Sequence, residues 1–233
     1  MRYHDIFIDF DDTLYDTYGN AVIALRELFA LMELDRYFPE PDVFYDAYWR
    51  ANIDLWKLYA RGEITRDYLI IERFRRPLSL GRGVEPTAEY CMRVSDLFLD
   101  LCADKPGLVV GARELVDYLR ARGYRLHLCS NGFHEVQYRK LHACGLEGCF
   151  DNVVLSEDAG YNKPDPRFFD YAISLAGATR DATLMIGDNL DTDILGAQRA
   201  GIDAAYYNRF PGTPVPDGVT CVVESLLELK DIL

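Results

Sequence analysis

Short apolar runs alternate with helical faces along the second half of the chain. Ala112, Leu115, Val116 and Leu119 recur at helical spacing and stop at Gly123. Arg125-Leu126-His127-Leu128-Cys129 follows as a predicted strand, broken at Ser130-Asn131-Gly132, and the next helix ends near Gly145. Val153-Val154-Leu155 reads as a strand, with Lys163-Pro164 in the loop beyond it. Asp165 and Pro166 suit an N-cap and a first helical position, and Phe168, Phe169, Ala172, Ile173 and Ala176 form that helix's buried face. Thr183-Leu184-Met185-Ile186 runs into Gly187-Asp188, and a helix through Ile194, Leu195 and Ala197 stops at Gly201. Residues 204–207 and 221–223 are predicted as closing strands. A first strand, Ile6-Phe7-Ile8, stands apart near the N-terminus.

Short apolar strands alternating with helices predict an α/β fold, a doubly wound parallel sheet covered on both faces. Ligands of such sheets lie beyond the carboxyl ends of the strands. Polar residues fall there three times: Asp9 and Asp11, then Ser130 and Asn131, then Asp188 and Asn189. Residues 16–106 have another texture, rich in aromatics and charges at helical spacing. Leu25, Leu28, Phe29 and Met32 mark one helix; Phe44, Tyr48, Ile53, Leu55 and Trp56 mark a second. Leu69 and Phe74, then Val94, Leu97, Phe98 and Leu101, continue the pattern. The expected organisation is a core of residues 1–15 and 107–233 with a helical insert, 16–106, after the first strand.

Length and composition narrow the function. The 233 residues suit one large domain or a domain with an insert, and 49% hydrophobic residues suffice for a full core. The formal charge of −13, without a dense basic run, argues against a nucleic-acid partner. No apolar stretch approaches the roughly 20 residues of a membrane span, and the start of the chain leads directly into the first strand. A cytoplasmic protein is expected. The six cysteines show neither a C-x-x-C pair nor a zinc spacing.

The candidate chemistry begins at Asp9-Phe10-Asp11-Asp12-Thr13. Three carboxylates within four residues at the mouth of a buried strand repel one another. A hard cation such as Mg²⁺ would relieve this; alone, the segment equally suits a solvated acidic turn. Ser130-Asn131-Gly132, Lys163-Pro164 and Gly187-Asp188-Asn189 would each read as a turn or loop in isolation.

Together, in this order, the four elements resemble the signature of the haloacid dehalogenase (HAD) superfamily: Asp9-x-Asp11-x-Thr13, Ser130, Lys163, and Gly187-Asp188 with Asp193 five residues on. The resemblance spans the chain and implies a Mg²⁺-dependent phosphomonoester hydrolase. It implies Asp9 as nucleophile, forming an aspartyl-phosphate, and Asp11 as general acid and then base. Asp11 lies two positions on, about 6–7 Å along an extended segment and on the same side. Lys163 would offset the charge of the phosphate, with Ser130 and the Asn131 backbone N–H on its oxygens. Mg²⁺ would take Asp9, the Asp11 carbonyl and Asp188. Thr13, Gly132 and Asp193 are supporting positions, Asp193 capping a helix or orienting Lys163 rather than binding metal. Asp12 stands where the family often has glycine, and no role is assigned to it. The dehalogenases lack the second aspartate, so Asp11 favours phosphatase chemistry.

The insert resembles the helical cap of the superfamily's phosphatases. Asn52-x-x-Leu55-Trp56-x-x-Tyr59-x-x-Gly62-x-Ile64 is similar to the cap of house-cleaning nucleoside 5′-monophosphate phosphatases, which act on pyrimidine nucleotides. Asn52, Trp56 and Tyr59 are thereby specificity candidates, although Trp and Tyr at helical spacing also suit a core. The expected partner is a small-molecule phosphate ester, with neither nucleic acid nor membrane involved, and the chain is expected as a monomer or weak homodimer. Sugar-phosphate, phosphoglycolate and sialic-acid 9-phosphate phosphatases, a β-phosphomutase-like enzyme, and a non-catalytic binding protein on the same scaffold are the alternatives.

Overall fold

The structure, a computed structural model, describes residues 2–210, 212 and 214–233; Met1, Pro211 and Thr213 lie outside it. The chain divides into two compact units, Met1–Thr17 with Pro106–Leu233, and Tyr18–Lys105.

Strand β1, Asp5–Ile8, opens the first unit. The second unit follows as α1 (Thr17–Leu31), α2 (Pro41–Ala60), α3 (Arg66–Leu78) and α4 (Ala88–Ala103). The chain then returns through α5 (Ala112–Ala121), β2 (Arg125–Ser130), α6 (His134–Ala143), β3 (Asn152–Leu155), α7 (Ser156–Ala159) and α8 (Pro166–Ala176). Strand β4 (Thr183–Gly187), a π-helical turn at Leu190–Leu195, α9 (Gly196–Arg199), β5 (Asp203–Tyr207) and β6 (Cys221–Val223) complete it.

The six strands are parallel, in the order β3-β2-β1-β4-β5-β6. The order of winding reverses between β1 and β4, which makes their carboxyl ends the switch point where a crevice opens. The register is level: Ile8 lies opposite Leu128 on one side and Ile186 on the other. Asp9, Cys129 and Gly187 are therefore each the next residue beyond one aligned row.

Both sheet faces are covered, which explains why β1 is apolar at successive positions rather than at alternate ones. Ile6 and Ile8 enter one core with Leu115, Val116 and Leu119 of α5 and with Leu226 and Leu229. Phe7, between them, enters the opposite core with Phe168, Phe169 and Ala172 of α8. Asp165 caps α8 by accepting from Arg167 N at 2.9 Å, with Pro166 at the first helical position.

The helical unit has an aromatic core of its own, in which Phe29, Phe38, Phe44, Tyr48, Phe74 and Phe98 are buried. Thr65 and Thr87 cap α3 and α4 through their hydroxyl oxygens. Ile53, expected on the buried face of its helix, is instead 51% exposed. The inward stripe runs through Phe44, Tyr48, Ala51 and Leu55, spaced three and four apart, and Ile53 falls between its rows. Among the described residues no helix is long and apolar enough to cross a membrane, and all six cysteines are free thiols.

Phe169 is fully buried, and its ring fills the space beside Gly196. Phe169→Ala should destabilise the protein by roughly 3–5 kcal/mol in chemical denaturation; a loss below about 1 kcal/mol would contradict this packing.

Candidate active site

Asp9 leaves β1 with its N–H still bonded to Ile186 O at 2.9 Å, so the switch point fixes its backbone. The chain then turns tightly. Tyr15 N and Leu14 N both return to Phe10 O, and Asp12 N donates to Tyr15 O at 2.8 Å. The turn requires Asp12 at φ 65°, a left-handed conformation that aspartate tolerates better than most residues with a Cβ. This explains why glycine suits the position. Here Arg209 compensates by pairing with the Asp12 carboxylate and donating to its carbonyl at 3.1 Å.

Lys163 and Asn131 are joined reciprocally. Lys163 N donates to Asn131 Oδ1 at 2.8 Å, and Asn131 Nδ2 donates to Lys163 O at 2.9 Å. The Asn131 side chain thus locks two loops together, a role not foreseen beside its expected backbone contact. The clamp delivers a buried ammonium whose three protons meet Asp9 Oδ1, Asp193 Oδ1 and Cys129 O, each at 2.7 Å. Burial opposes the charge on Lys163, but Asp193 and Asp9 outweigh it and raise its pKa.

Thr13, fully buried, joins the remaining acids. Its hydroxyl lies 3.0 Å from Asp9 Oδ2 and 3.2 Å from Asp188 Oδ1, and accepts from Asp188 N at 3.0 Å. Asp193 Oδ1 accepts from Lys163 Nζ, and its other oxygen accepts from Asn189 N at 3.1 Å. A Cβ on Gly187 would fall 2.4–2.6 Å from the Asp193 carboxylate, so glycine is required there for space.

Asp9, Asp188 and Asp193 offer oxygens within 4.8 Å of one another. With Lys163 as their shared buried cation, three ionised carboxylates leave two negative charges uncompensated. Burial and the neighbouring carboxylates push Asp9 up to about 7 despite Lys163, and drive Asp188 well above the ordinary range. An oxygen-only donor set with that surplus has the chemistry to hold one hard divalent cation. Asp193 is bonded to Lys163 and a backbone N–H, and Asp9 to Lys163 and Thr13.

Asp11 takes different partners. Oδ1 accepts from Lys140 Nζ at 2.6 Å and Thr17 Oγ1 at 2.7 Å; Oδ2 accepts from Gln137 Nε2 at 2.5 Å. Burial raises its pKa, but the Lys140 charge and the bonds from Lys140, Thr17 and Gln137 outweigh it and hold the carboxyl below its usual range. Ser130 Oγ accepts from Gln137 at 2.6 Å and from Gly132 N at 3.0 Å, and lies 3.4 Å from Asp11 Oδ2.

The first unit thus gathers Asp9, Thr13, Lys163, Asp188 and Asp193 into one cluster, with Asp11, Ser130, Asn131 and Gly132 in the adjoining network. Asn52, Trp56 and Tyr59 belong to the helical unit, half-buried on α2, with the Trp56 and Tyr59 rings edge to face at 5.6 Å. Sequence reasoning missed Gln137, Lys140, Thr17 and Arg209. The available signal was two long polar side chains on α6 beside its apolar residues Val136 and Leu141.

Residues 6–201 match the family model of haloacid dehalogenase-like hydrolases. The chain belongs to this family. It is 31% identical over 234 residues to the HAD-hydrolase YfnB of Bacillus subtilis, covering 100% of this chain and 96% of that protein. The crystal structure of YfnB bound to magnesium superposes with a TM-score of 0.88 at 30% identity, over 100% of this chain and 99% of the other. Glyceraldehyde 3-phosphate phosphatase of Methanothermobacter thermautotrophicus is 29% identical over 98% of both chains. Pyrimidine 5′-nucleotidase YjjG of Escherichia coli is 33% identical over 60% of this chain and 63% of its own.

Removing Lys163 leaves Asp9 and Asp193 buried without their cation. Lys163→Met should cost roughly 3–5 kcal/mol in chemical denaturation at pH 8. The cost should shrink at pH 5, where Asp9, already pushed up, can take up a proton. Equal stability of variant and wild type at pH 8 would contradict the charge balance.

Proposed function

We infer that this HAD-family hydrolase cleaves phosphomonoesters through an aspartyl-phosphate on Asp9, with Mg²⁺ as its cation and a nucleoside 5′-monophosphate as its substrate class. The observation that carries the reading is the Lys163 ammonium joined to Asp9 and Asp193, with Asp188 tied to Asp9 through Thr13. A carboxylate nucleophile needs neighbouring positive charge before a phosphate dianion can approach it.

Asp9 attacks phosphorus through one carboxylate oxygen while Lys163 holds the other. Ser130 and the Asn131 N–H bind phosphate oxygens at the second strand end. Asp11 gives a proton to the leaving oxygen, then takes one from the water that cleaves the acyl phosphate. Thr13 and Gly132 support this geometry. Asp9, the Asp11 carbonyl and Asp188 would hold Mg²⁺, which supplies charge neutralisation at the phosphate. The YfnB structure bound to magnesium supports Mg²⁺ as the cation.

For the leaving group, the similarity to YjjG supports a nucleotide. Trp56 and Tyr59 are the aromatic residues of α2 assigned to the base on this reading, and Asn52 Oδ1 is a buried acceptor with no protein donor among the described residues. The full-length similarity to a glyceraldehyde 3-phosphate phosphatase favours a second reading, a small phosphosugar. A panel of nucleotides and sugar phosphates separates the two. Helices α1 to α4 are proposed as the cap that selects between such substrates.

Asp9→Asn should lower turnover of p-nitrophenyl phosphate by about 10³-fold or more while the protein remains folded. Normal activity in that variant would refute the nucleophile, and metal-independent hydrolysis after EDTA would refute the cation. The raised Asp9 and Asp188 carboxyls retain protons that the unfolded chain releases. Stability of the metal-free protein should therefore fall as pH rises from about 4 towards 7. Mg²⁺ should raise Tm more at pH 8 than at pH 5.5; an equal or smaller shift at pH 8 would contradict the assignment.

A further inference from the structure

The inner face of α6 carries two polar residues, Gln137 and Lys140, that converge on Asp11, and Gln137 also donates to Ser130 Oγ at 2.6 Å. Gln137 is fully buried and Lys140 is 7% exposed. They stand three residues apart, hence on one side of the helix. Burying an amide and an ammonium costs free energy unless each finds a partner; the Gln137 NH2 and the Lys140 ammonium share Asp11, while Gln137 Oε1 is buried with no partner among the described residues. Lys140 Nζ donates to Asp11 Oδ1 at 2.6 Å and Gln137 Nε2 to Asp11 Oδ2 at 2.5 Å. With Thr17 on Oδ1, both carboxylate oxygens are held from more than one element. The Lys140 ammonium also lies 5.0 Å from the centre of the Tyr15 ring, whose backbone pairs with that of Asp11.

Gly132 belongs to the same construction. A Cβ there would fall 2.2–2.9 Å from the Gln137 side chain, so a larger residue would displace the amide from Asp11 and Ser130. Glycine is needed here for space and not for a positive φ.

We propose that Gln137 and Lys140 are positioning residues that fix the Asp11 carboxyl group for its proton transfers. This rests on the aspartyl-phosphate reading. Asp11 enters the first half-reaction as the carboxylic acid although Lys140 and its neighbours favour the carboxylate, so the positioning they supply has to outweigh that cost. There the Asp9 oxygen–phosphorus bond forms, the ester oxygen–phosphorus bond breaks, and the Asp11 proton passes to the departing oxygen. In the second, water oxygen bonds to phosphorus, its proton returns to the Asp11 carboxylate, and Asp9 leaves as carboxylate. Both transfers require Asp11 in one place, and a freely rotating carboxyl group would meet the reacting oxygen for only part of the time.

The test compares kcat/KM for phenyl phosphate and p-nitrophenyl phosphate in wild type, Lys140→Met, Lys140→Arg and Gln137→Leu. Phenol titrates near 10, as tyrosine does, so phenolate departs with help from a proton; nitrophenolate needs that help far less. Lys140→Met should lose about tenfold more on phenyl phosphate than on the nitrophenyl ester. Gln137→Leu should show the same bias, and Lys140→Arg should recover part of the loss. In an Asp11→Asn background, Lys140→Met should cost nothing further. Equal losses on the two esters, or losses that multiply in the double variant, would overturn the proposal. Thermal midpoints establish that each variant is folded; if Lys140→Met is not, Gln137→Leu decides. A wild type that cleaves neither ester would instead overturn the phosphatase reading, and this inference with it.

Discussion

The constraint on which the site depends is a surplus of buried negative charge at the switch point of a parallel sheet. Asp9 and Asp188 lie just beyond β1 and β4, the two strands between which the winding reverses. Their proximity follows from topology and register, and not from attraction. The protein stabilises part of that charge with Lys163, whose three protons are all used, and part with the Thr13 hydroxyl. Burial first, and then the neighbouring carboxylates, move both carboxyls towards their protonated forms. A divalent cation offsets the same surplus without consuming a proton.

Asp9 and Asp11, two residues apart, are driven in opposite directions by their surroundings. Asp9 faces other carboxylates and is pushed up; Asp11 faces Lys140, Thr17 and Gln137 and is held down. Divergent environments for adjacent acids mark divided roles in catalysis. On the proposed reading, a cation beside Asp9 would offset the first effect and leave a carboxylate oxygen to act as nucleophile. The α6 network meets the second carboxylate and the Ser130 hydroxyl.

Much of this was legible in the sequence because the principal signals are local. Apolar runs ending in polar residues identified β1, β2 and β4, and Asp165-Pro166 identified the start of α8. Asp9, Ser130 and Asp188 lie at or just past strand ends, whereas Lys163 lies in a loop beyond α7 and Asp193 in the π-helical turn. What escaped is non-local. Lys140 and Gln137 look like solvated helix residues until the fold presents their face to Asp11, 129 and 126 positions away in sequence. Arg209 meets Asp12 across 197 positions, and only the positive φ at Asp12 shows what that contact supports. Ile53 was misplaced because one apolar residue off the stripe cannot be recognised without the register of its neighbours.

The central claim is that the acid cluster exchanges protons for one divalent cation. Calorimetric titration of the metal-free protein with Mg²⁺ at pH 7, in two buffers of different ionisation enthalpy, measures this directly. The structure predicts one site, net proton release on binding, and loss of both in Asp188→Asn. Binding without proton release, or binding that survives that substitution unchanged, would contradict it.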